Sequence, residues 1–98
     1  AAAPPPASRE DRKAAAQQRQ KLADQARPMK QELTRLDQRL ATLASEKATL
    51  EAASADPSLT PAVRVEQGRR LKQIDGELAT AEARWLELSE AIDALSAG

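Results

Sequence analysis

Apolar residues recur three and four positions apart along both halves of this 98-residue chain, and a proline-marked break divides the halves. The first ladder is Leu33, Leu36, Leu40, Leu43 and Leu50, with Lys47 on the one missing rung. The second runs Leu71, Ile74, Leu78, Ala81, Trp85, Leu88, Ile92 and Leu95 without interruption. This spacing keeps one stripe of a helix facing a partner helix, which is the seam of a coiled coil. Between the ladders, Ser54-Ala55-Asp56-Pro57-Ser58-Leu59-Thr60-Pro61 holds two prolines, which a helix interior does not accommodate. The pattern predicts an all-α fold: an antiparallel two-helix coiled-coil hairpin, turning near residues 54–60, with a basic leading helix kinked at Pro28.

The organisation along the chain follows from local signals. Ala1-Ala2-Ala3-Pro4-Pro5-Pro6-Ala7 is low in complexity and reads as a disordered, semi-extended linker. The linker and the absence of an initial methionine read as a piece of a larger protein or a processed product. Ser8 with Asp11 has the form of a capping box, and Glu10 and Asp11 suit the positive end of a helix dipole. A basic leading helix is therefore expected over residues 8–27. Pro28 removes one backbone donor and crowds the turn before it, so a kink or short break is expected there, with the hairpin proper over residues 28–98. Leu22, Ala26 and Met29 continue the seam across it. Upstream of Leu22 the seam positions hold Arg19, Ala15 and Arg12, so residues 9–21 should project beyond the hairpin core or fray. Thr60 with Pro61 marks the start of the second helix. Gly68 and Gly76 lie off the seam and should soften that helix without breaking it.

Aligning the ladders sets Leu43 opposite Leu71, Leu40 opposite Ile74, Leu36 opposite Leu78, Met29 opposite Trp85 and Leu22 opposite Ile92. Lys47 then meets Gln67 as a polar layer near the turn. In this alignment Trp85, the only aromatic, is a core residue that covers Ala26 and Ala81 and touches Met29.

Composition limits the chemistry. Aromatics make up 1% of the chain, and it has no cysteine and no histidine, so disulfides, thiolate chemistry and the usual zinc ligands are excluded. No stretch approaches the roughly 20 apolar residues of a membrane span, and no signal segment opens the chain, so a cytoplasmic setting without membrane association is the expectation. Nothing places a nucleophile beside a base, and no cofactor motif is present, so neither an enzyme nor a cofactor is expected.

Charge is unevenly spread. Residues 1–47 carry ten Lys/Arg against six Asp/Glu, and residues 48–98 carry five against nine. One expectation is pairing across the hairpin, the basic start beside Glu82, Glu87, Glu90 and Asp93. The other is that basic residues face an anionic partner. Two patches could do so: Arg9, Arg12, Lys13, Arg19, Lys21, Arg27 and Lys30 on the leading helix, and Arg64, Arg69, Arg70 and Lys72 near the turn.

Three segments carry a family resemblance: Arg27-Pro28-Met29-Lys30-Gln31-Glu32-Leu33, Ala55-Asp56-Pro57-Ser58-Leu59, and Ala83-Arg84-Trp85-Leu86-Glu87-Leu88. Together they resemble the C-terminal extension of ABC-F proteins, soluble ATP-binding cassette ATPases, of the Uup or YheS type. The resemblance covers roughly residues 9–95. It implies a coiled-coil hairpin that follows an ATPase domain and acts as an arm binding DNA or ribosomal RNA through backbone phosphates, without reading sequence. The chain lacks a phosphate-binding Gly-Lys-Ser/Thr loop, so this segment should not itself bind or hydrolyse ATP. It departs from the family's better-known arms in being neutral overall and in having a single aromatic, which argues against base stacking. The competing expectation is a protein-interaction, dimerisation or spacer coiled coil, docking on its own ATPase domains or on a second copy. Leu86, Val63 and Val65 lie off the seam and could support a weak homodimer.

Overall fold

The computed structural model describes residues 8–97, so the Ala/Pro linker expected over 1–7 lies outside the described residues. Two helices account for almost all of them: α1, Arg9–Ala53, and α2, Pro61–Ala97. They pack against each other as an antiparallel hairpin, and the molecule extends 83 × 26 × 15 Å.

The local signals act as their chemistry dictates. Ser8 Oγ accepts from the Asp11 amide at 3.0 Å and the Asp11 carboxylate accepts from the Ser8 amide at 3.4 Å, which closes the capping box. At the start of α2, Thr60 Oγ1 accepts from the Val63 amide at 3.3 Å, with Pro61 in the first turn where it forfeits no bond. Between the helices, Asp56 Oδ1 accepts from the Ser58 amide at 2.9 Å and from the Ser58 hydroxyl at 2.7 Å. These bonds favour the charged form and hold the Asp56 carboxyl below its ordinary value. Gly68 and Gly76 leave α2 continuous.

Three expectations are narrowed or corrected. First, of the kink or short break expected at Pro28, the break does not occur: α1 runs through it as one helix of 45 residues. Pro28 and Asp24 both lie on the exposed surface, so the carbonyl left without a donor remains open to water. The basic leading segment is the first part of α1, and residues 9–21 are exposed throughout, as expected of a stretch that outreaches its partner.

Second, the register differs. Glu46 meets Arg70 where the alignment put Gly68, Lys47 meets Asp75 where it put Gln67, and Asp37 meets Trp85 where it put Glu77. Every displacement runs the same way, and together they move α2 toward the turn by about one helical turn, ~5 Å. The expected Lys47–Gln67 layer is replaced: Lys47 Nζ reaches Asp75 Oδ1 at 2.7 Å, and Gln67 Oε1 lies 3.0 Å from Ser54 Oγ. The bond to Asp75 raises the Lys47 pKa.

Third, Trp85 is not in the core. It is 36% exposed, and its Nε1 donates to Asp37 Oδ1 at 2.8 Å. An indole N–H needs a partner, and this register offers a carboxylate at the seam's edge. The buried residues are Ala26, Leu43, Ile74, Ala81 and Leu88, with Leu43 and Ile74 fully enclosed.

Candidate nucleic-acid interface

The hairpin has two polar flanks with different contents. One carries Glu32, Arg39 and Glu46 on α1 at heptad spacing, against Arg84, Glu77 and Arg70 on α2 at the same spacing. The two strings are complementary in charge, and all three cross-pairs form. Arg84 Nε and Nη2 reach the two oxygens of Glu32 at 2.6 and 3.0 Å, a bidentate clasp. Arg70 clasps Glu46 in the same way and also reaches Glu77. The arginines hold the Glu32 and Glu46 carboxyls below their ordinary values, and the carboxylates in turn raise the arginines. This ladder was not read from the sequence, although its signal was there: two strings of alternating charge, seven residues apart, of opposite sense.

The ladder and the turn engage most of the second candidate patch. Arg70 belongs to the ladder. Arg64 donates to the Ser54 carbonyl at 3.3 Å and the Asp56 carbonyl at 2.8 Å, covering the carbonyl end of α1. Arg69 pairs with Glu66 at 2.9 Å. Lys72 is exposed and joins no ion pair among the described residues. The structure therefore does not bring these four together as an anion site.

The first patch fares differently. Arg9, Arg12, Lys13, Arg19, Lys21, Arg27 and Lys30 are all exposed. Only Arg27 joins an ion pair among the described residues, to Asp24 at 3.1 Å. On an ideal helix Arg9, Arg12, Lys13, Arg19, Arg27 and Lys30 fall within an arc of about 120°, and the stripe runs about 30 Å along α1; Lys21 lies outside the arc. Ala16 and Ala23 sit within it, which leaves the long cationic side chains open to approach. The stripe lies on the second flank, where a groove is lined by Arg19, Ala23 and Lys30 of α1 together with Leu95 and Ser96 of α2. The expected pairing of the basic start with Glu82, Glu87, Glu90 and Asp93 does not occur. Glu87 bonds Arg84 at 3.1 Å, and the other three form no ion pair among the described residues.

Such an arrangement offers a row of solvated cations on one face of a long helix, a surface that attracts phosphates. Residues 24–90, more than half of the chain, match the family model of the ABC transporter C-terminal domain. The chain belongs to that family. The resemblance carried by the turn and by the Ala83–Leu88 segment is thereby borne out at the level of the family. No curated protein and no solved structure matches the chain. As an ABC transporter C-terminal domain it is a C-terminal arm of an ABC protein, and among its described residues no helix is long and apolar enough to cross a membrane.

Proposed function

We propose that this ABC transporter C-terminal domain is a nucleic-acid-binding arm, of the Uup or YheS type, which grips the phosphates of DNA or structured RNA through the α1 stripe. The arm serves a parent ABC-F ATPase and has no catalytic chemistry of its own. The observation that carries the reading is the contrast between flanks. Arginines near the turn are held by carboxylates and carbonyls, whereas Arg9, Arg12, Lys13, Arg19 and Lys30 share a face with no carboxylate paired to them among the described residues. A side chain already clasped by a carboxylate must break that bond to take a phosphate.

A salt titration of the 98-residue chain with duplex DNA and with structured RNA tests the reading. Each phosphate neutralised contributes about −0.9 to the slope of log affinity against log salt on a duplex. Four to six contacts predict a slope of about −4 to −5. R9Q/R12Q/K13Q/R19Q should abolish binding at physiological salt, and R69Q/K72Q should leave it unchanged. Absence of binding to either nucleic acid at low salt would reject the proposal.

A second reading, a protein-docking or dimerisation module, draws on the exposure of Val65 (58%) and Leu86 (54%). A stable dimer in sedimentation without nucleic acid would favour it.

A further inference from the structure

We infer that Asp37, Glu82 and Asp93 confine a bound polyanion to the projecting end of α1, so that the arm takes nucleic acid at its open end and turns it away from the turn. The inference rests on the nucleic-acid reading of the stripe and adds polarity to it.

The argument is positional. Lys30 and Asp37 are one heptad apart on α1 and so lie on the same flank. Asp37 faces Trp85 across the seam on that flank. On α2, Asp75 and Glu82 are also one heptad apart, and Asp75 receives Lys47 there. Asp93 lies on the same side of α2, turned about 50° further from the seam than Asp75 and Glu82. The second flank is therefore graded in charge. Toward the open end it carries Arg9, Arg12, Lys13 and Arg19, all exposed. Beside α2 it carries Arg27, already bonded to Asp24, and Lys30, with Asp93 and then Asp37 and Glu82 following. Glu82 and Asp93 are exposed and joined to no cation among the described residues.

Screening makes the gradient effective. Charges interact within a Debye length, about 8 Å at physiological ionic strength. A phosphate on Arg9–Arg19 lies beyond these carboxylates' range, whereas one advancing past Lys30 meets them unshielded. Trp85, the one aromatic, stands on the repelling side of this boundary with its N–H engaged by Asp37, so base stacking forms no part of the grip.

The test uses the 98-residue chain and a fluorescent DNA duplex at physiological ionic strength, where the screening length of about 8 Å holds. With Glu82 and Asp93 neutral the duplex can advance onto Arg27 and Lys30 and gain phosphate contacts there, so E82Q/D93N should tighten binding severalfold. R27Q/K30Q should cost little in the native sequence and severalfold in the E82Q/D93N background, because the duplex can then advance along α1. Binding by the native chain that E82Q/D93N leaves unchanged overturns this inference alone, as does R27Q/K30Q costing the native chain as much as R9Q/R12Q. Failure of the native chain and E82Q/D93N alike to bind overturns the nucleic-acid reading, and this inference with it. The substitutions are exposed and polar, so circular dichroism should show unchanged helicity.

Discussion

The two ends of the hairpin use the same residue types for opposite purposes. Near the turn, arginine is structural: Arg64 covers the carbonyls of Ser54 and Asp56, and Arg70 joins Glu46 to Glu77. At the open end, arginine and lysine bond to little and face water. The difference arises from what lies across the seam. Where α2 runs beside α1, a carboxylate string meets each arginine string. Where α1 outreaches α2, none is available. Composition and net charge do not distinguish the two situations; only the packing does.

The strongest challenge to this comparison is at the seam. Leu43 is fully enclosed, whereas Leu22 near the open end is half-buried. Leu43→Ala should destabilise by about 2–5 kcal/mol, the range for truncating an enclosed leucine. Leu22→Ala should cost well under half as much and leave nucleic-acid affinity unchanged. Urea denaturation followed by circular dichroism measures both. Equal losses would mean that the two ends are closed alike.

Pro28 provides the next largest effect, in the opposite direction. A proline in a helix interior costs about 3 kcal/mol relative to alanine, and α1 passes through this one without ending. Pro28→Ala restores the bond to the Asp24 carbonyl and should raise stability by up to about 3 kcal/mol. A fall in melting temperature would show that the proline stabilises the hairpin.

The sequence conveyed the architecture but misplaced one helix against the other, for a physical reason. Ladders of leucine at three-four spacing match at several offsets, since each rung resembles the next. The two prolines and the Ser8 and Thr60 caps locate the helix ends without ambiguity. Register depends instead on long side chains at the flanks, and the string Glu32, Arg39, Glu46 opposing Arg70, Glu77, Arg84 would have fixed it. The sites depend on the same register. Arg64 and Arg70 resemble free cations until the carbonyls and carboxylates of α1 are brought beside them. The α1 stripe needed no partner to be recognised; Lys21 falls outside its arc and Arg27 is bonded to Asp24. Trp85 was misplaced because its seam position was legible but the carboxylate awaiting its N–H depended on the register.

Acid should weaken the hairpin. Glu32 and Glu46 are held below their ordinary pKa by Arg84 and Arg70, and Asp56 by Ser58. A carboxyl depressed in the folded state binds its proton more readily when unfolded. The stability it contributes is therefore present above the unfolded value, about 4.3 for Glu, and is lost as pH falls through the lower folded value. The melting temperature should hold from pH 7 to pH 5 and decline below about pH 4. Glu32→Gln with Glu46→Gln should flatten that decline. A melting temperature that rises on acidification would mean the ladder adds no stability.

The smallest effect separates the ladder flank from the stripe. Gly76 lies inside α2, in an open groove on that flank lined also by Leu36, Arg39, Arg70 and Ala81. A Cβ placed on it meets nothing within 4 Å. Glycine in a helix interior costs about 0.5–1 kcal/mol relative to alanine through lost backbone entropy, and nothing inside the hairpin requires it. Gly76→Ala should therefore stabilise by about that amount in urea denaturation, and affinity for duplex DNA should not change, because the stripe lies on the opposite flank. A loss of affinity with the hairpin intact would place nucleic acid on the ladder flank, and would overturn the division of labour between the two flanks.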